Sequence, residues 1–447
     1  MRSARFSKLW DSLHSSYWFL PTIMASVAVL LTFAMLSLDR AGRDGPIEQL
    51  GWIYTGGPDG ARAVLSVVAG SLATVTATAF SITIVALQLA SSQFGPRLLR
   101  NFMQDTGNQF VLGTFIATFI YCLLVLRTIH GEDYNLFVPQ LSVTVGIVLA
   151  IASIGVLIYF IHHASTIIQA SHVISSVSRE FEQAIDCLFP EEIGRGASPP
   201  QLSIGEIPEH FDQKSDSIRA TNTGYLQVVD DNILLKLASQ DNLLLKLQVQ
   251  PGQFIVRGDE LVRVYPGTWV ARLPGDQLRK AFILGEERTE QQDIEFPINQ
   301  LVEIALRAIS PAVNDPFTAI RCIDRLGAGL SCLAQRHFPS PYRYDETHQL
   351  RVIAQPVLFQ ELVDQAFNSI RQYAQSDSAV TIRLLAAITL IARTSCHPAH
   401  QFVLHRHAKM ILQGSRAGLS EEQDRKEVEA YYNKVIKALE QNDKTNV

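Results

Sequence analysis

Residues 141–168 read LSVTVGIVLAIASIGVLIYFIHHASTII, a run without a single Asp, Glu, Lys or Arg. A hydrocarbon core about 30 Å thick is crossed by roughly 20 helical residues. Because lipid offers the backbone no hydrogen-bond partners, such a spanning segment must be helical. Residues 12–38, 63–96 and 106–126 lack the same four residue types. The sequence therefore predicts four transmembrane helices, at about 16–38, 63–93, 108–128 and 141–168.

Charged residues are concentrated after these four segments. Residues 1–170 contain nine Lys/Arg and eight Asp/Glu, whereas the remaining 277 residues contain 29 and 35. The formal net charge of −5 excludes a broadly basic surface, so nucleic acid is not an expected partner. The five cysteines show no paired short spacing, which argues against a disulfide framework and against a zinc ribbon.

Basic residues near the ends of the spans predict the orientation of the chain. Arg2, Arg5 and Lys8 precede the first span, and Arg97 and Arg100 follow the second. The opposite side also carries arginines, but carboxylates accompany them, and carboxylates count little in the positive-inside rule. Unpaired cysteines in the long C-terminal part fit a reducing compartment. We therefore expect both the N- and the C-terminus to be cytoplasmic.

The fold class that we expect is an α-helical membrane protein with four transmembrane helices and two cytoplasmic parts. These parts are a small β module that resembles a barrel-sandwich hybrid and a C-terminal all-α domain. The expected boundaries are a transmembrane domain at 1–178, a helix and Pro/Gly-rich linker at 179–220, the β module at 221–275 and the helical domain at 276–447.

The β module raises the question of a covalent cofactor. Its Pro-Gly and Gly-Asp turns, at 251–252 and 258–259, resemble those of the biotinyl and lipoyl carrier fold. Such carriers attach the prosthetic group to a lysine at an exposed hairpin tip. Here Lys236 and Lys246 are framed by leucines, without the flanking methionines of biotin carriers. We interpret the module as a scaffold and expect no cofactor.

No pattern in the sequence predicts catalysis. It contains no phosphate-binding Walker loop, no His-Glu-x-x-His helix and no Gly-x-Ser-x-Gly elbow. Histidines crowd residues 397–407 next to Cys396, but no carboxylate lies in that run, and we interpret it as a polar helix without a metal. A polar constellation in the C-terminal part consists of Asp293, Glu295, Asn314 and Asp315. Helix capping explains the presence of Asp315. We therefore expect a protein that is not an enzyme.

A polar stripe follows the second span. Its members are spaced three, four or seven residues apart, so that they lie near one helical face: Ser71, Thr74, Thr78, Ser81, Gln88 and Ser92. At about 1.5 Å per residue the stripe is roughly 30 Å long, one hydrocarbon thickness. One interpretation is tight helix packing, supported by Gly70 and Ala77. The other is a water-exposed path between subunits, which makes these six residues candidates for lining a pore.

Three short segments resemble a known bacterial family. They are QLASSQFGPR at 88–97, QDIEF at 292–296 and LRAISPAVNDPFTA at 306–319. These motifs are similar to those of the predicted membrane proteins numbered 2254 among domains of unknown function, and the resemblance covers most of the chain. It implies a bacterial inner-membrane location and brings no catalytic residues. The motif positions, whose role the family leaves open, are Gln93, Pro96, Arg97, Asp293, Ser310, Pro311, Asn314, Asp315 and Pro316.

Two classes of function remain open at this stage. The first is an oligomeric channel or transport-like protein of the inner membrane with a cytoplasmic regulatory domain, because four spans are few for a monomeric transporter. The protein would then carry an ion or a small solute. The stripe contains no ring of charged residues from which the selectivity could be read. The second is a membrane-anchored interaction or sensor protein without transport. The expected partners are the lipid bilayer and further copies of the chain.

Overall fold

The computed structural model describes residues 16–41, 54, 56–95, 105–129, 137–167, 169–189, 207–272, 275–395 and 397–445. The chain forms two compact units, Met1–His172 and Val173–Val447. We call the first the membrane unit, because it contains the candidate membrane spans found among the described residues, and we use soluble unit as a label for the second, which carries most of the charged residues.

Among its described residues, the membrane unit contains four helices that are long and apolar enough to cross a bilayer. They are α1 (Phe19–Ala41), α2 (Pro58–Phe94), α3 (Thr106–Leu126) and α4 (Gln140–Ile167). The four helices expected from the charge-free runs are confirmed. At 37 residues, or about 55 Å, α2 is longer than a hydrocarbon core requires.

Helix α3 lies at the centre of the membrane unit and packs against each of the other three. Its side chains Phe115, Tyr121 and Val125 are fully buried. The Tyr121 hydroxyl donates a hydrogen bond of 3.0 Å to the Ser142 carbonyl of α4. The interior of the unit is therefore filled with packed side chains that connect neighbouring helices.

Asp39, in the last turn of α1, caps the first turn of α4. Its Oδ1 accepts a hydrogen bond of 2.9 Å from the Leu141 amide, and its Oδ2 accepts 3.0 Å from the Ser142 amide and 2.5 Å from the Ser142 hydroxyl. The first amides of a helix have no partner within the helix. At the other end of α4, His163 Nε2 lies 2.7 Å from Asp105, which also caps α3. Carboxylates thus fix both ends of α4.

Helix α5 (Ala170–Leu188) begins at the end of the membrane unit and continues into the soluble unit, where α6 (Phe211–Lys214) and two sheets follow. Its strands are β1 (Asp216–Arg219), β2 (Gly224–Val229), β3 (Leu244–Leu247), β4 (Phe254–Ile255), β5 (Glu260–Tyr265), β6 (Phe282–Gly285), β7 (Tyr342–Tyr344) and β8 (Leu350–Ile353). The larger sheet has the order β1-β5-β3-β8-β7, and the smaller has the order β4-β2-β6. Short helices α7 (Asp231–Gln240), α8 (Thr268–Arg272) and α9 (Asp276–Arg279) connect these strands.

The strands extend beyond the β module expected at 221–275. Strands β1 and β6 flank that range, while β7 and β8 come from the part expected to be all helical. Strand β8 pairs in parallel with β3, Leu245 opposite Val352, which brings together residues more than a hundred positions apart. Local spacing carries no information on such a pairing, because it depends on the path of the intervening chain. The barrel-sandwich arrangement is not confirmed.

Six helices complete the soluble unit. They are α10 (Glu295–Ala308), α11 (Pro316–Leu333), α12 (Phe359–Tyr373), α13 (Ser378–Thr394), α14 (Pro398–Gly418) and α15 (Glu422–Thr445). Asp315 caps α11 by accepting a hydrogen bond of 3.2 Å from the Thr318 amide, and Pro316 is its first residue. Helix α13 packs against α11 and α15, and Val428 and Val435 of α15 are fully buried.

Replacing Asp39 tests the cap that joins α1 to α4. We expect Asp39→Ala to lower the free energy of unfolding of the membrane unit by about 1–2 kcal/mol, because two backbone amides and a hydroxyl lose their acceptor. Unfolding in mixed micelles titrated with sodium dodecyl sulfate measures the change. Ser37→Ala is the matched control, since the Ser37 hydroxyl bonds only within its own helix, to the Phe33 carbonyl. Equal effects of the two variants would contradict the cap.

Candidate functional site

The polar stripe of α2 faces away from the core of the membrane unit. All six of its members are exposed, from Ser71 to Ser92. The buried residues of α2 lie on the opposite side of the helix and are mostly small: Ala61, Leu65, Ala69, Leu72, Ala79, Thr83, Ala86 and Ala90. Among the described residues of one chain, α2 therefore packs through its alanine face, and the polar face is exposed.

Small residues on both sides allow this packing to be close. A Cβ atom on Gly146 of α4 would lie 3.0 Å from the Leu65 side chain, so Leu65 would have to shift to admit a larger residue there. Leu65 and Ala69 share one buried cluster with Tyr121 and Cys122 of α3. Close approach through small residues is the usual basis of helix association in membranes. The alanine face thus fixes the rotation of α2 about its own axis.

The hydroxyls of the stripe donate their hydrogen bonds within α2. Thr78 Oγ1 donates to the Thr74 carbonyl at 3.0 Å, and Ser81 Oγ donates to the Ala77 carbonyl at 2.9 Å. Thr74 Oγ1 donates to Gly70 at 3.2 Å in the same way. Each hydroxyl oxygen keeps lone pairs that can accept a hydrogen bond from water or from a solute. The stripe is therefore a row of neutral acceptors along the helix.

The exposed faces of α1 and α4 differ from that of α2. Large apolar side chains cover them, with Leu30 of α1 exposed to 68% and Ile151 of α4 to 64%. Side chains of this kind suit contact with lipid tails. On α2, exposed apolar residues such as Val67 and Ile82 lie beside the polar face. The polar face is thus bordered by lipid-compatible surface on the same helix.

In the soluble unit, Gln292 and the motif position Asp293 each bind a neighbouring group. Gln292 binds the backbone of β2, and Asp293 binds a charged side chain. The Gln292 side chain accepts a hydrogen bond of 2.8 Å from the Val229 amide and donates one of 3.1 Å to the Val229 carbonyl, at the end of β2. Asp293 is 3% exposed and receives two hydrogen bonds from Arg288, at 2.7 and 2.9 Å. Burial raises the pKa of the Asp293 carboxyl above its usual range, and the Arg288 guanidinium opposes that shift. Both positions have a structural role.

The motif at 310–316 builds the turn between α10 and α11. The Ser310 carbonyl accepts the Asn314 amide at 2.9 Å, and the Ala308 carbonyl accepts the Asp315 amide at 2.7 Å. Asn314 has a φ of +50°, in the left-handed region that asparagine tolerates better than most residues. Pro311 is exposed at the tip of the turn.

The first family motif lies at the end of α2. Gln93 belongs to that helix, but its side chain, like the residues Pro96 and Arg97, lies outside the part of the chain that the structure describes. Gly95 ends the helix with a φ of 108°.

The histidines expected on a polar helix are engaged separately. His400 Nδ1 lies 3.1 Å from the Ser395 hydroxyl, and its ring stacks on Phe359 at 4.0 Å between centroids. Burial, together with nearby His397, lowers the pKa of His400 to about 4. His407 Nε2 instead lies 2.7 Å from Asp364. Across the described residues, no group of three His, Cys, Asp or Glu side chains is arranged to hold a metal.

A groove of about 510 Å³ lies between α11, α13 and α15. Arg383 pairs with Asp324 on one side, and the Lys434 ammonium lies 3.7 Å above the ring of Tyr431 on the other. Ala386, Ala387 and Leu390 form part of its lining. Local patterns in the sequence do not reveal this groove, because its lining comes from three helices spread over more than a hundred positions.

Comparisons with known proteins confirm the resemblance. The family model described as predicted membrane protein (DUF2254) matches residues 14–389. Uncharacterized protein Rv1290c of Mycobacterium tuberculosis is 33% identical over 430 residues, which are 94% of this chain and 80% of that protein. Uncharacterized protein Mb1321c of Mycobacterium bovis is 33% identical over the same shares. No solved structure matches the chain.

Removing the Asp293 carboxylate tests its structural role. We expect Asp293→Ala to lower the free energy of unfolding of the soluble unit by about 2–4 kcal/mol, because Arg288 is left charged and largely buried without its main partner. Hydrogen exchange at the amides of β2 measures the loss. Glu295→Gln is the control, since Glu295 is 34% exposed and lies 3.3 Å from Arg288, and it should cost less than about 1 kcal/mol. A similar loss in both variants would contradict the role assigned to Asp293.

Proposed function

Since this chain belongs to the predicted membrane protein family DUF2254, we propose that it assembles into an oligomeric channel or transport-like protein of the bacterial inner membrane. The soluble unit has a regulatory role on the cytoplasmic side. The observation that carries the proposal is the exposed polar face of α2, which lies opposite the face that packs within the chain.

The length of this face supports a path across the bilayer. From Ser71 to Ser92 it extends over about 32 Å of helix, close to one hydrocarbon thickness. Lipid tails cannot donate hydrogen bonds to the free lone pairs of backbone and hydroxyl oxygens, whereas water or a solute can. A row of such acceptors, interrupted only by exposed Val85 between Ser81 and Gln88, favours a hydrated environment over a lipid one.

The filled interior of the membrane unit supports an oligomer. Phe115, Tyr121 and Val125 occupy the centre of the four helices, so the chain offers its polar surface on the outside. Further copies of the chain, arranged around a symmetry axis, would bring several α2 helices together at that axis. The path suits an ion or a small polar solute. Because the stripe is neutral, no ring of charged side chains selects cations over anions.

A second function, a membrane-anchored sensor, is favoured by the groove between α11, α13 and α15. Its volume of about 510 Å³ is within the usual range for a small-molecule site. Arg393 and Lys434 give its lining positive charge, while Asp324 is paired with Arg383. In this function the four helices are an anchor, and α2 packs through its polar face against a neighbouring chain.

Cysteine accessibility separates the two functions. We expect single cysteines at positions 74, 78 and 81 to react with a small charged thiol reagent in native membranes, because these positions face water in an open path. Cysteines at 72, which is buried, and at 82, which lies among apolar side chains, should stay protected. Reactivity is measured by mass shift after labelling. Protection at all five positions would contradict a hydrated path and favour the anchored sensor.

Flux through purified protein in liposomes gives the second arm of this test. Thr78→Leu should lower the measured flux of a small neutral solute by about tenfold or more, because an apolar ring at the centre of the path disfavours water. Ile82→Leu, on the apolar side of the same helix, should leave the flux unchanged. An unchanged flux in Thr78→Leu would remove Thr78 from the path.

A further inference from the structure

The turn between α10 and α11 exposes two large apolar side chains. Val313 is 56% exposed and Phe317 is 75% exposed. An isolated exposed residue needs no explanation, but two that lie four positions apart form a small apolar tip. We call Val313, Phe317, Arg321 and Arg325 the tip surface.

The backbone holds this apolar tip in place. The Ser310 carbonyl accepts the Val313 amide at 3.1 Å as well as the Asn314 amide at 2.9 Å. Asp315 then begins α11, since its two carboxylate oxygens accept the Thr318 amide and hydroxyl at 3.2 and 2.6 Å. Because these bonds fix the turn, Val313 and Phe317 are presented to solvent by a defined structure. The family motif at 310–316 supplies the residues that build it.

Unpaired arginines continue the tip surface along α11. Arg321 and Arg325 follow Phe317 at intervals of four residues, on the same side of the helix, and both are exposed. Within the part of the chain that the structure describes, neither has an ion pair or a hydrogen bond.

Carboxylates close to these arginines in sequence are already engaged. Asp315 bonds Thr318, and Asp324 bonds Arg383 of α13. Glu303 of α10 lies 3.6 Å from Arg307. Among the described residues, the tip surface therefore combines exposed apolar area with two guanidinium groups that form no ion pair, next to the Asp315 carboxylate that caps α11.

This combination fits the surface of an anionic membrane. Exposed aromatic and aliphatic side chains enter the headgroup region, and guanidinium groups bind lipid phosphates. Moreover, α4 ends at Ile167 and α5 begins at Ala170, so only a short stretch of chain separates a candidate membrane span from the helix that follows it. Such a tether raises the effective concentration of the lipid surface, and a few side chains are then enough for binding.

We propose that the tip surface binds anionic phospholipid of the membrane that the chain spans. Val313 and Phe317 enter the interface, and Arg321 and Arg325 contact headgroup phosphates. A second copy of the chain is the competing occupant, and the experiment distinguishes it from lipid. The inference does not depend on whether the chain conducts a solute, because it rests on the tip surface and on the link between α4 and α5.

Photo-crosslinking from position 317 tests the inference on the full chain. The photoreactive residue p-azidophenylalanine replaces Phe317, and in a matched variant it replaces Phe402, which is 70% exposed in the same unit. Each variant is placed in nanodiscs of phosphatidylcholine, or of phosphatidylcholine mixed with phosphatidylglycerol, and is irradiated. Mass spectrometry of the adducts gives the yield of lipid and of protein crosslinks.

We expect lipid adducts at position 317 in the mixed nanodiscs, few in pure phosphatidylcholine, and few at position 402 in either. Adding Arg321→Gln or Arg325→Gln should lower the lipid yield at position 317 by about fivefold for each charge removed. Arg257→Gln, at an exposed arginine between β4 and β5, is the control and should leave the yield unchanged. Size-exclusion profiles equal to that of the unmodified chain show that the variants fold.

Three results would overturn the inference. Crosslinked dimers in place of lipid adducts would identify the tip surface as a contact between copies of the chain. A second contrary result is an equal lipid yield at positions 317 and 402, or a yield at 317 that changes neither with phosphatidylglycerol nor with the arginine substitutions. Either outcome would mean that closeness to the bilayer, without specific binding, produces the adducts. Absence of any adduct at position 317 would leave the tip surface in solvent. Because flux is not measured here, none of these results bears on the channel.

Discussion

The packing of α2 through a row of alanines is the constraint on which the functional surface of the membrane unit depends. Alanines and Leu65 bring α2 close to α3 and α4, so the helix has one rotational setting about its axis. Once that setting is fixed, Ser71, Thr78 and Ser92 must point away from the chain. A larger residue on the packing face would turn or displace the helix and change what the outer surface presents.

In the soluble unit, family motifs act as supports for other side chains. Gln292 closes the end of β2, Asp293 holds Arg288, and Asp315 starts α11. None of these residues is left with a free, exposed reactive group that would indicate catalysis. The side chains placed for contact, Phe317 and its neighbouring arginines, lie beside the motif positions and are supported by them. The motifs therefore mark the frame of a binding surface.

The sequence was sufficient to predict some of these features. The four spans follow from charge-free runs, because the bilayer excludes charges whatever the tertiary structure. The cap at Asp315 is local and is confirmed. The spacing of the α2 stripe was also readable, but not the direction in which it points. Small residues such as Gly70 and Ala77 lie beside the stripe while Ala69 and Ala79 lie opposite, so either face was fit to pack.

Features that depend on distant residues could not be predicted. Strand β8 joins the sheet next to β3 across more than a hundred residues, and the groove at Tyr431 draws on three helices. The exposure of Phe317 was also hidden, because α11 has apolar residues on several faces and its periodicity alone assigns Phe317 to the core. Only packing shows which of these residues the fold leaves uncovered.

The central claim is that the polar face of α2 lies on the axis of an oligomer. Electron cryomicroscopy of the full chain in lipid nanodiscs tests it most directly, because the map shows both the number of copies and the neighbours of each helix. We expect a closed ring of subunits with Thr78 of every copy facing a central, solvent-filled path. A monomer, or an oligomer in which Thr78 faces lipid or is buried between tightly packed helices, would contradict the claim.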